Sequence, residues 1–150
     1  MSHTFTNLLT HVVFSTKERM PLRKPEIAPD VHSYLGGIVR ELGGTAVIVN
    51  GVQDHVHMLV RLPAELAVAE CLRVVKTNSS RWIHQRWPEK RNFAWQTGYG
   101  AFAVSASNEA AVVRYIRDQE KHHAKVSFRD EFIALLRKHR IEFDEKFLWK

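Results

Sequence analysis

The order of apolar periodicities along these 150 residues predicts an α+β fold on the ferredoxin-like plan, β-α-β-β-α-β, with further helices at the C-terminal end. Two stretches decide it. From Ile27 the apolar residues fall at Val31, Leu35, Ile38 and Leu42, the three-and-four spacing of one helix face, and Gly43-Gly44 stops the run. The period then shortens. Thr45–Val49 and His55–Val60 read as strands on either side of Asn50-Gly51, a hairpin turn pair because both residues tolerate positive φ.

The remaining elements follow in order. Leu9–Ser15, apolar and β-branched, is the first strand, ending at the basic turn Lys17-Glu18-Arg19 before Pro21. Gly36-Gly37 inside the first helix should cost about 2 kcal/mol against alanines, which points to a close backbone contact there. A second helix, Leu66 to Trp87, sets Leu72, Val75, Ser79 and Trp82 along one side and stops at Pro88. Tyr99–Val104 alternates as a fourth strand. In this plan the first and third strands are central, so His55 and His57 lie on an inner strand. A third helix runs from Ser107-Asn108, an N-cap with Glu109 in the first turn, to about Lys121. The last starts at Ser127 with Asp130 as its capping-box partner and carries Phe128, Phe132, Leu135 and Leu136 on one face. The tail, with Phe143, Phe147 and Trp149, is apolar enough to pack on its own domain or on a second subunit. No repeat or linker divides the chain, so residues 1–150 are expected to form one domain.

Composition narrows the function. A chain that is 45% hydrophobic and 25% charged buries a sizeable core without staples, and its single cysteine, Cys71, reads as a core residue of a cytoplasmic protein. No leader-like start and no long apolar run is present, so neither export nor membrane insertion is expected. The net charge of +6 favours a polyanionic partner. Arg73, Lys76, Arg81, Arg86, Lys90 and Arg91 lie close in sequence to Trp82, Trp87, Phe93 and Trp95, a mixture that can meet phosphates and stack on unpaired bases. The competing reading is a solvated helix face with its tryptophans turned to the core.

The chemistry centres on Asp54-His55-Val56-His57. On a strand His55 and His57 stand side by side, about 6.5 Å apart at the Cα atoms, and can reach one divalent ion, while Val56, Met58 and Val60 face the core. An isolated His-x-His is as compatible with two partly buried imidazoles. The third helix adds Tyr115 and Gln119, four residues apart and so on one face, and leaves Val112, Val113 and Ile116 for core contacts. Two imidazoles and the amide oxygen of Gln119 leave positions open on an ion for phosphate oxygens. Tyr115 can then attack phosphorus, and because one ester replaces another the bond energy is kept for rejoining.

The run Asp54-His55-Val56-His57 with Tyr115-Ile116-Arg117-Asp118-Gln119 resembles the single-tyrosine His-hydrophobe-His transposases of the smallest bacterial insertion sequences and the related REP-associated tyrosine transposases. The likeness extends to His11-Val12-Val13-Phe14-Ser15-Thr16-Lys17, Ser79-Ser80-Arg81-Trp82 and Trp95-Gln96-Thr97-Gly98-Tyr99-Gly100. It implies a DNA transposase acting on single strands beside hairpins through a 5′-phosphotyrosine, with Tyr115 as nucleophile and Mg²⁺ or Mn²⁺ held by His55, His57 and Gln119. It also implies a homodimer in which the tyrosine helix can complete the partner's site, and no nucleotide cofactor. Lys76, Arg81 and Arg114 are the candidate DNA contacts. Two rivals stand beside it. One is a non-catalytic nucleic-acid-binding module on the same strand order, stacking bases on its sheet. The other is a zinc hydrolase using His55, His57 and one of His122 or His123, for which Asp54, expected to point away, would supply no carboxylate base.

Overall fold

A computed structural model describes residues 3–21 and 27–149. In chain order the elements are β1 (Leu8–Ser15), α1 (Ala28–Glu41), β2 (Thr45–Val52), β3 (His55–Leu62), α2 (Val68–Arg86), β4 (Gly100–Val104), α3 (Glu109–Arg117), α4 (Gln119–His123) and α5 (Phe128–Lys138), with short 3-10 turns between some of them. The sheet runs β2-β3-β1-β4 with antiparallel neighbours throughout, so β1 and β3 are central as the ferredoxin-like plan requires.

Alternation along the two central strands sorts the side chains onto two covered faces. Val12 and Phe14 of β1 join Val56, Met58 and Val60 of β3 in a core closed by Val31, Leu35 and Val39 of α1 and Leu72 and Val75 of α2. Each of these aliphatic side chains contributes about 1.5–3 kcal/mol by leaving water. The opposite face carries Leu9, His11 and Val13 with His55, His57 and Leu59. Helix α3 covers one end through Ile116, and α5 covers the other through Phe128, Phe132 and Leu136. Phe143, Leu148 and Trp149 pack on that second cluster, so the tail lies against its own domain, though Phe147 is 61% exposed. Cys71 is buried in the first core, which holds its thiol pKa up. Among the described residues no helix is long and apolar enough to cross a membrane.

Four expectations change. Asn50-Gly51 is not the hairpin turn: β2 continues through both to Val52, and the chain reverses at Gln53-Asp54. Gly51 is needed for space, since a Cβ there would lie 2.2 Å from the His55 carbonyl oxygen, and the Asn50 amide donates to the carbonyls of Ile116 and Arg117. The third helix is not continuous: α3 stops at Arg117, Asp118 leaves helical geometry (φ −94°, ψ 21°), and α4 starts afresh at Gln119. Asn108 makes no side-chain cap, whereas Ser127 does, its hydroxyl accepting from the Asp130 amide at 3.1 Å. Last, a methyl at Gly36 would meet Ala46 at an ordinary 3.5 Å and one at Gly37 only the Arg40 side chain, so no close backbone contact accounts for the pair.

Candidate active site

Strand β3 sets the site. His55 pairs in register with Ser15 and Val52, and His57 with Val13 and Asn50, so both rings project from mid-sheet into the space under α5. They are 1% and 0% exposed, with ring centroids 5.2 Å apart. Asp54 does not turn away: its Oδ1 lies 2.7 Å from His55 Nδ1. His11, from β1, puts Nε2 2.9 Å from His57 Nδ1. Both rings are thus held by their outer nitrogens, leaving each Nε2 directed inward, the arrangement in which a second partner fixes a ligand ring.

What they face is Glu131 of α5. Its Oε1 lies 2.9 Å from His57 Nε2, 3.5 Å from His55 Nε2 and 2.9 Å from Nε2 of His123, whose Nδ1 donates to the Val126 carbonyl. Its Oε2 accepts from the Tyr115 hydroxyl and from Gln119 Nε2 at 3.1 Å. Gln119 Oε1 lies 3.3 Å from His55 Nε2, so the break at Asp118 still brings the amide onto the histidines. His122 Nε2, buried with no hydrogen-bond partner, comes to 3.3 Å from Glu131 Oε2. The structure therefore brings together His55, His57, Gln119 and Tyr115, and adds His11, His123 and Glu131. Glu131 left one signal in the sequence: an acid on the apolar stripe of α5, between Phe128 and Leu135.

The electrostatics follow from burial in a small volume. Burial alone would raise Glu131, but hydrogen bonds from His123, His55 and His57 outweigh it and hold the carboxylate ionised far below its usual range. Burial presses His55 down, yet Asp54 and Glu131 reverse that and lift it, whereas His57, more deeply enclosed, is lowered. Burial and the adjacent Glu131 both push Tyr115 up, so its phenol keeps its proton. Inward-facing imidazole nitrogens, an amide oxygen and a carboxylate make a set of acceptors short of positive charge. A proton on His55 supplies one unit of it, and the set fits a divalent cation, since the ligand atoms of His55, His57, His123 and Glu131 all lie within 4.8 Å of one another. A cleft of about 600 Å³, lined by His11, Val112, Tyr115, His122 and Glu131 among others, opens onto the phenol from solvent.

The basic surface divides. Arg81 and Arg114 are exposed. Lys76 donates instead to the carbonyls of Gln96, Thr97 and Gly98, tying down the loop before β4, and burial lowers its pKa to about 8. The tryptophans turn to the protein. Trp95 is buried and donates to Ser79 Oγ at 2.9 Å, and Trp82 stacks on Tyr34 at 4.2 Å. On the other face α3–α5 cover the histidines, so the sheet offers no open platform for stacking bases.

A ferredoxin-like sheet whose inner strand faces a pocket able to hold a divalent ion, with a tyrosine hydroxyl against it, defines a class of protein: an α+β domain with a candidate metal-and-tyrosine centre. Comparison with known proteins narrows this. The family model described as Transposase IS200 like matches residues 4–119, and the chain belongs to that family of DNA-cleaving and DNA-joining enzymes. It is similar to the ISDra2 transposase TnpA of Deinococcus radiodurans, 23% identical over 114 residues that cover 73% of this chain and 81% of that one. It is also similar to the transposase for insertion sequence element IS200 of Salmonella typhimurium, 26% identical over 125 residues, 79% of this chain and 81% of that one. Two solved structures share the fold. A putative transposase from Deinococcus radiodurans superposes with a TM-score of 0.66 at 22% identity, covering 79% of this chain and 95% of that one. A REP-associated tyrosine transposase bound to a REP hairpin gives 0.62 at 14% identity, covering 84% and 76%.

Proposed function

We propose that this transposase nicks and rejoins single-stranded DNA beside hairpins by transesterification, with Tyr115 as nucleophile and a divalent ion held by His55, His57 and Gln119. The observation that carries it is the meeting of the Tyr115 hydroxyl with the carboxylate that also touches His57 and His123. A cation bound there, Mg²⁺ or Mn²⁺, supplies charge neutralisation for an anionic phosphodiester. The chain's own residues do the rest. Asp54 and His11 orient the imidazoles, α5 covers them, and Glu131 Oε2 stands where it can take the phenol proton as Tyr115 Oη bonds to phosphorus and the bond to the 3′ oxygen breaks. Glu131 then returns that proton to the departing 3′ oxygen, so the products are a 5′-phosphotyrosine and a 3′-hydroxyl.

The hairpin substrate is supported by the neighbour solved with a REP hairpin. Arg81 and Arg114 are proposed to meet phosphates directly, and Lys76 to act through the loop it ties. We further propose that residues 1–150 work as one cytoplasmic domain, needing no nucleotide cofactor, and that two chains pair where two cleavages must be linked. The hydrolase reading gains Glu131 and His123 but gives Tyr115 no task. Incubation with single-stranded hairpin DNA and Mg²⁺ or Mn²⁺, read on a denaturing gel, separates them. A covalent adduct from the wild type and none from Tyr115→Phe is the expected result, whereas cleavage without any adduct would overturn the tyrosine route.

A further inference from the structure

We propose that the cleft between α3 and α5 binds the nucleobase of the nucleotide that becomes joined to Tyr115, with the Asn108 amide on the edge of the base and Lys138 on the phosphate beyond it. The inference deepens the proposed function and rests on its reading of Tyr115 as nucleophile. Two walls face each other across about 600 Å³, a volume in the range of small-ligand sites. Asn108, Ala111 and Tyr115 follow at three- and four-residue steps, so they share one side of α3 and the turn before it. Ala134 and Lys138 share the facing side of α5 in the same way. Ala103 of β4 lies between the two helices. The exposed alanines 103, 111 and 134 leave room for a flat ring, and half-buried His139 borders it with one face stacked on Phe102, centroids 4.3 Å apart.

The polar groups of the cleft have little to do inside the protein. Asn108 makes no cap, and its exposed amide has no hydrogen-bond partner among the described residues. Lys138 is exposed and pairs with no carboxylate among them, while Asp130, an acid on the same side of α5, is offset by Arg129 at 3.4 Å. An amide offers a donor beside an acceptor, the pattern that the Watson–Crick edge of an unpaired base takes, and an ammonium suits a phosphate. In-line attack decides which nucleotide enters. The departing 3′ oxygen stands opposite Tyr115 Oη across phosphorus, so the nucleoside it carries points away from the phenol. The nucleoside held through its 5′ oxygen lies to the side, and the cleft that opens onto the phenol is the space beside it.

The test maps the cut in a single-stranded hairpin DNA with wild-type protein and Mg²⁺ or Mn²⁺, then replaces the nucleotide on either side of that phosphate, one at a time, by an abasic residue. Adduct formation is followed at sub-saturating DNA for the wild type, Ala134→Leu and Asn108→Ala, with circular dichroism as the check on folding. Removing the base on the side that keeps the 5′ phosphate is expected to slow the wild type roughly 10-fold, and removing the base on the departing side to leave it nearly unchanged. Ala134→Leu, which fills the cleft from an exposed position, should cost about as much on intact DNA and nothing further on the abasic DNA. Asn108→Ala should cost roughly 5-fold on intact DNA and likewise nothing on the abasic one. No loss from either abasic residue, equal or greater loss from the departing side, an unaffected Ala134→Leu, or variant and abasic losses that multiply would overturn the inference and leave the proposed function standing, since the adduct still forms. A wild type that forms no adduct on any hairpin DNA would remove both. Should Ala134→Leu fail to fold, Asn108→Ala, in the turn ahead of α3, decides on the same DNAs.

Discussion

Glu131 gathers the site because its two oxygens face different neighbours, Oε1 the imidazoles and Oε2 the Tyr115 phenol and the Gln119 amide. Residues that only orient these groups matter as well. His11 touches no reacting atom, yet it fixes the His57 ring, so His11→Phe, which keeps an aromatic ring without the hydrogen bond, is expected to cut the cleavage rate roughly 10-fold. Single-turnover assays at saturating metal check this, with circular dichroism unchanged. A second histidine bears on stability. Burial lowers His32, on α1, from 6.5 to about 4, so it stays neutral in the folded chain while the unfolded chain takes up a proton. Its contribution is complete above pH 6.5 and is lost as the pH falls toward 4. Thermal unfolding across pH 7 to 4 should therefore show a shallower drop for His32→Gln than for the wild type; parallel curves would contradict it.

At the scale of elements, the β2–β3 hairpin and the α3–α4 break decide where the chemistry stands. Gly51 lets β2 pass close to β3 where His55 begins, and Gly51→Ala is expected to destabilise by about 3 kcal/mol because backbone, not a flexible side chain, blocks the methyl. Gly37→Ala should act oppositely. Its added methyl meets only Arg40 at 3.7 Å, and the helical preference of alanine should stabilise α1 by about 1 kcal/mol. Chemical denaturation of both variants measures the pair of opposite signs. Asp118 interrupts the helix between Tyr115 and Gln119, so the two side chains reach Glu131 from separate short helices.

For the molecule as a whole, α3 is pinned to its own sheet at both ends. Arg61 of β3 pairs with Glu109 at 3.1 Å, and Asn50 of β2 donates to the carbonyls of Ile116 and Arg117. The partly exposed ion pair adds little, while the amide contacts bury carbonyls that would otherwise end the helix unpaired. Tyr115 thereby meets its own chain's histidines, and the expected sharing of sites between subunits is not needed to bring the groups together. Mixing His57→Ala with Tyr115→Phe is accordingly expected to leave cleavage dead, as self-contained sites require; recovered activity in the mixture would mean that α3 exchanges. DNA affinity should fall steeply with salt, and Arg81→Ala or Arg114→Ala should reduce that slope by about one released counterion each. Binding titrations from low to high salt give both numbers.

The sequence by itself determined the strand order, the inner position of His55 and His57, and the core face of β3 with Val56, Met58 and Val60, because period-2 and period-3.6 patterns are set by local backbone geometry. It also held the motif that joins Tyr115 and Gln119 to the histidine pair. Tertiary structure decided the rest. Asn50-Gly51 has the local chemistry of a turn, but pairing with β3 and the closeness of the His55 carbonyl kept it in the strand. The helix face shared by Tyr115 and Gln119 is broken at Asp118, yet the contacts of Glu131 restore their meeting. His123 and Glu131 reach the site only when α4 and α5 fold over the sheet, Glu131 from 74 residues in sequence beyond His57. No periodicity registers such a contact, since it depends on two side chains meeting across the fold, and an acid on an apolar stripe is the one local trace it leaves.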